Sequence, residues 1–129
     1  MVKGIEIRDA HFPGRAPIDA YGNGGFRFAD MSHRGSILCL PSGIHGWEPK
    51  ALPLLTIADF SLVFEQADDI EILLVGMGTD LRRLPQELRE ELRKHRISSD
   101  PMSTGAAVRT YNVLLAEDRA VAAALIAVD

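Results

Sequence analysis

The chain has 129 residues, 47% hydrophobic and 25% charged, with 14 basic against 18 acidic residues and a formal charge of −4. That length suits one domain burying roughly two thirds of the surface its unfolded form exposes, and the composition is that of a globular protein, neither disordered, fibrous nor membranous. With no lysine or arginine run to follow a phosphate backbone, nucleic acid is not an expected partner, and the longest apolar run, Val121 to Val128, is far short of the roughly 20 residues that span a bilayer.

At the N-terminus, MVKGIEIRDAHFPGR lacks an apolar signal core, carries acidic residues and moves into strand-like alternation, which predicts no leader and a cytoplasmic location. Ile18 to Tyr21 and Phe26 to Ala29 flank Gly22-Asn23-Gly24-Gly25. Asn-Gly favours a type I′ hairpin because both turn residues need positive φ. With Asn23-Gly24 as the turn, Tyr21 is expected opposite Phe26 and Asp19 opposite Phe28, all four on one face. Ser36 to Leu40 is apolar at successive positions, as in a strand covered on both sides. The lone Cys39 cannot close an intrachain disulfide and reads as a small buried hydrophobe.

Pro41-Ser42-Gly43 punctuates the chain, and Ile44 to Trp47 suits a short extension before Pro49 and Pro53. Thr56, with Asp59 three residues on, resembles a helix start, after which Ile57, Phe60, Phe64 and Ala67 form a core-facing stripe. Ile70 to Val75 is the clearest strand and runs into Gly76-Met77-Gly78. Pro85 opens a helix with Leu84, Leu88 and Leu92 spaced four apart, and Lys94, His95 and Arg96 favour its C-terminal end. An extended piece to Asp100-Pro101, a helix capped by Ser103 and running to about Glu117, and a strand over Val121 to Val128 complete the chain. These elements describe a single α/β domain over residues 1–129, with no internal repeat or linker.

Each candidate site has a structural alternative. Gly76-Met77-Gly78 lacks the third glycine of a dinucleotide fingerprint, which is Leu81, and no Gly-Lys-Ser or Gly-Lys-Thr follows, so a tight strand exit is expected. His11, His33, His45 and His95 show no metal-ligand spacing, and no metal or cofactor is expected. Ser42-Gly43-Ile44-His45 places a hydroxyl near an imidazole without a nucleophile elbow, which favours a turn. Glu87, Glu90 and Glu91 interleaved with Arg89, Arg93 and Lys94 read as a solvated helix face, Glu90 and Lys94 forming an i,i+4 pair. Ser103, Thr104 and Gly105 at a helix N-terminus, with Arg109 beyond, suit either close packing on the sheet or an anion. Thr110, Tyr111 and Asn112 need hydrogen-bond partners inside a largely buried helix.

The ordered blocks Asp19 to Phe26, Gly35 to Leu38, Pro41-Ser42-Gly43, Trp47, Glu71 to Gly78 and Met102 to Glu117 carry a resemblance. The chain resembles the family of α/β proteins of unknown function that includes the mitochondrial respiratory complex I assembly factor three and an adipogenesis-associated relative. The most specific part is Thr104-Gly105-Ala106-Ala107 through Thr110-Tyr111-Asn112-Val113-Leu114. The resemblance implies a three-layer domain with a central mixed sheet, its last strand antiparallel, and an N-terminal hairpin region. It also implies binding to other proteins without catalysis, with homo-oligomerisation open and no catalytic or cofactor-binding residue to carry over. Candidate contact residues are Tyr21, Trp47, Gly76, Gly78, Ser103, Thr104 and Arg109. The competing expectation is a small-molecule or enzyme pocket where Gly76 to Gly78 meets Ser103 to Gly105.

Overall fold

A computed structural model describes residues 12–49, 55–79 and 82–129. His11 and the segment before it, Pro53 and Leu81 lie outside the described residues. The first elements are three short antiparallel strands, β1 (Ala20–Gly22), β2 (Gly25–Phe28) and β3 (Met31–Arg34), paired in that order. Asn23 and Gly24 take φ of 53° and 80°, the positive pair that a type I′ turn needs, and Tyr21 stands opposite Phe26 as expected. The pair does not share an environment: Phe26 is buried and Tyr21 is 42% exposed.

β3 is not foreseen in the sequence, and the reason lies in its turn. Phe28 pairs with Met31 across Ala29-Asp30, whose φ values of 48° and 62° are again both positive. The chain makes a second left-handed turn there without glycine or asparagine.

The main sheet has five strands in the order β5 (Gly43–Trp47), β4 (Ser36–Leu40), β8 (Val121–Leu125), β6 (Ile72–Gly76), β7 (Ser98–Met102). The last strand is antiparallel to β4 and parallel to β6, so the sheet is mixed with β8 at its middle. All five β8 residues are buried. Alternate side chains enter opposite cores, as a period of two dictates. Leu38, Leu73, Val75, Ala122 and Ala124 face one core, whereas Ile37, Cys39, Leu74, Val121, Ala123 and Leu125 face the other.

One outer layer holds α1 (Ser61–Glu65) and α2 (Gln86–Lys94), and the other holds α3 (Thr104–Ala116) with the small sheet, completing three layers. The capping-box residues are in place, Asp59 accepting from the Thr56 amide at 2.9 Å, but they open a 3-10 turn over Ile57–Phe60 that leads into α1. Three residues per turn shift the facing of the stripe. Phe60, Val63 and Ala67 are buried, while Ile57 and Phe64 are only partly so.

Leu84, Leu88 and Leu92 are buried against the sheet. The Glu90–Lys94 pair is not made: the Gln86 amide holds Glu90 at 3.0 Å, and Lys94 approaches Glu91 at 3.7 Å. Pro101 falls on the edge strand β7, where a missing N–H is tolerated.

Ala29 in the left-handed region carries a backbone cost that glycine would not. Ala29→Gly is therefore expected to raise unfolding free energy by about 1 kcal/mol in urea titration. An unchanged or lower midpoint at equal slope would contradict that strain.

Candidate functional site

The exit of β6 and the start of α3 meet at Thr104, which is fully buried. Its hydroxyl donates to the Ile126 carbonyl at 2.6 Å and accepts from the Gly78 amide at 3.0 Å, so one oxygen ties three segments. The Thr104 amide donates to the Gly78 carbonyl at 2.9 Å, and Met77 N–H donates to Met102 at 2.8 Å. Gly78 takes φ of +91°, and a Cβ on Gly76 would press to 3.0 Å of the Thr104 Cα. The amides of Met77 and Gly78, which a phosphate would need, are thus spent on the protein itself. In these contacts Gly76-Met77-Gly78 turns the chain and admits α3 closely.

Ser103 caps α3, its Oγ accepting from Ala106 N–H at 3.2 Å. Tyr21 from β1 reaches this end, because a Cβ on Gly105 would overlap its hydroxyl and lie 3.6 Å from an Arg109 guanidinium nitrogen. The fold thereby brings together Tyr21, Gly76, Gly78, Ser103, Thr104 and Arg109. It does not bring in Trp47, which is half-buried on β5, donates through Nε1 to the Asp59 carbonyl at 2.7 Å and packs edge-on to Phe60 at 5.3 Å.

Asn112 and Tyr111 of α3 find their partners. Asn112 pairs both ways with the Ile18 backbone, accepting from its amide at 2.9 Å and donating to its carbonyl at 2.8 Å, which straps the segment before β1 to the helix. Tyr111 is buried and hydrogen-bonded to Cys39. Burial pushes the Cys39 thiol up to about 12, against the opposing effect of that hydrogen bond, and leaves it a protonated core group at neutral pH. Tyr111 is likewise raised, first by burial and then by Cys39. Arg15 donates to the carbonyls of Arg119 and Val121 at 3.0 and 2.8 Å and so braces the entry to β8.

At the β4–β5 turn, Ser42 Oγ lies 2.9 Å from His45 Nε2. Gln66 donates to that oxygen at 2.7 Å and accepts from the Ser42 amide at 3.0 Å, so the hydroxyl and amide join this turn to the end of α1. Gln66 is a structural contact that the sequence offers no signal for, since 24 residues separate it from Ser42.

The model of a family described as "Protein of unknown function (DUF498/DUF598)" matches residues 18–126. An uncharacterised protein of Rhodobacter capsulatus is 42% identical over 92% of this chain and 90% of its own length. The NADH dehydrogenase [ubiquinone] 1 alpha subcomplex assembly factor 3 of Mus musculus is 30% identical over 95% of this chain, which spans 66% of that protein's length. A crystal structure described as an outer membrane protein from Bartonella henselae superposes with a TM-score of 0.88 at 69% identity, covering 92% of this chain and all of that one. Among the described residues no helix is long and apolar enough to cross a membrane.

Thr104→Val keeps the shape and removes the bridging oxygen. Leaving the buried Gly78 amide unpaired is expected to lower unfolding free energy by about 2–4 kcal/mol, with Thr104→Ser recovering most of it, as measured by chemical denaturation. Equal stability of the valine form would show that the bridge adds nothing.

Proposed function

Because the chain belongs to the DUF498/DUF598 family of proteins of unknown function, we propose that it is a non-catalytic, assembly-factor-like module that binds other proteins. The observation that carries this reading is a surface strip at α3. Tyr21 and Val113 are exposed large hydrophobics at 42% and 57%, and Arg109 is exposed one helical turn before Val113. Tyrosine and arginine beside an apolar contact are what anchor many protein interfaces. The name of the mouse relative, an assembly factor, agrees with this reading.

We propose a cytoplasmic location for the module; the outer membrane is named for the Bartonella relative alone. A second reading, a small-molecule pocket at the α3 N-terminus, draws on the convergence of Tyr21 and Arg109 over Gly105.

Affinity capture with the tagged chain in Rhodobacter capsulatus is the direct test. The combined Tyr21→Ala and Arg109→Ala variant is expected to retain at most about a tenth of a reproducible partner, with its melting temperature within about 2 °C of the parent because both side chains are exposed. Equal capture by both forms would reject the strip. Fractionating the same cells checks the location, recovery with the envelope overturning the cytoplasmic assignment. For the second reading, a thermal-shift screen with organic acids and phosphorylated metabolites should show about 2.7 kcal/mol of added stability at 100 times Kd. A flat screen removes that reading.

A further inference from the structure

The basic residues are not spread evenly. Positions 82–96 carry six of them against three acidic residues, in a chain whose net charge is −4. The β6–α2–β7 crossover gathers these arginines beside an open sheet edge. Arg89, Arg93 and Arg96 line a cavity of about 430 Å³ together with Ser98 and Ser99. A neighbouring cavity of about 350 Å³ is lined by Arg83, Arg89, Ser99 and Pro101. Arg89 and Ser99 belong to both, so the two form one groove along α2 and β7, and no acidic side chain lines it.

Two further observations point to a ligand for this groove. The first is Arg96. Helix α2 ends with Ile97 N–H donating to Leu92 and Arg96 N–H donating to Arg93, the paired bonds of a Schellman motif. Its left-handed position, which glycine usually fills, is occupied by Arg96 at φ of 63°. An arginine kept there at a backbone cost puts its charge into the groove, and strain of this kind collects at functional sites.

The second is the edge of β7. The Ser98 amide bonds to Glu71 and the Met102 carbonyl to Met77, so both residues face β6. Peptide groups of consecutive strand residues point to opposite edges, which turns Ser99 and Pro101 outward. Ser99 offers a donor and an acceptor to an added strand and Pro101 an acceptor, the proline withholding one donor from that edge.

We propose that an acidic, extended segment of a partner protein docks in this groove, adding a strand at the outer edge of β7 and placing carboxylates on Arg89, Arg93 and Arg96. This rests on the partner-binding reading above and supplies the partner's chemistry. The spacings match: Arg89 and Arg93 are about 6 Å apart along the helix axis, and alternate side chains of an extended peptide repeat at about 6.7 Å. Backbone hydrogen bonds give such a docked strand its affinity and the arginines its specificity. A nucleic acid fits less well, because no aromatic residue lines the groove to stack a base.

The experiment is fluorescence anisotropy of the full chain with a labelled peptide alternating Glu and Val, and with its Lys-for-Glu counterpart. The acidic peptide alone is expected to bind, and Arg93→Ala to weaken it by about tenfold or more. Arg96→Gly should weaken it similarly while raising the melting temperature, because glycine relieves the left-handed backbone; a merely structural Arg96 would not separate the two effects. Unchanged binding by both variants overturns the proposal, as does complete displacement by inorganic phosphate or tighter binding of a single-stranded oligonucleotide. Changes at Tyr21 and Arg109 leave peptide binding intact. Failure of the peptide with capture retained therefore sinks the groove alone, and loss of all capture sinks the broader reading.

Discussion

Thr104 holds this end of the protein together through one hydroxyl. Its oxygen sits where the ends of β6 and β8 meet the first turn of α3, and it satisfies a donor and an acceptor that would otherwise be buried without partners. The geometry demands its neighbours. Gly76 must lack a side chain for the Thr104 Cα to come so near, Gly78 must adopt a left-handed φ, and Ala107 must be small where α3 lies on the sheet. What looks in sequence like a phosphate loop facing a helix N-terminus is instead a closed joint. The chemistry left over on this end of the molecule is at its rim, in Tyr21 and Arg109.

The two outer layers have different tasks. On the α3 side, Asn112 binds the backbone at Ile18, Tyr111 reaches Cys39, and Arg15 closes on the start of β8, so polar side chains fasten the small sheet to the large one. In the other layer α2 itself is fastened by Leu84, Leu88 and Leu92, while Trp47 and Gln66 hydrogen-bond the α1 region to the β4–β5 hairpin, and the charged residues of α2 are left outside. Arg89, Arg93 and Arg96 make no ion pair with any described residue. The positive field on that side is therefore only partly offset, by Glu87, Glu90 and Glu91 of the same helix.

How much of this was legible depended on how local the signal was. Ser36–Leu40 and the cap of α3 at Ser103 follow from runs of a few residues and match the structure closely. The third strand, Met31–Arg34, escaped because Ala29-Asp30 makes a turn that normally announces itself with glycine or asparagine. The stripe starting at Ile57 slipped because a 3-10 turn does not keep the helical period. Trp47 is in sequence a candidate contact residue in a proline-rich stretch, and its packing partner Phe60, 13 residues later, lies beyond any local pattern. The arginines of α2 looked like an ordinary solvated face. Only the crossover that lays α2 beside Ser99 gives them a common groove.

The position of β8 has a consequence for how the chain is made. Val121–Leu125 is synthesised after every other described strand, yet it fills the middle of the large sheet between β4 and β6. A nascent chain emerging from the ribosome can close the β4–β5 hairpin and the β6–α2–β7 unit while two unsatisfied edges wait, and the pairing of Ile37 with Leu125 spans most of the polypeptide. Sheet closure is thus a late, long-range event, and the interval before it is when unpaired edges are most open to wrong partners.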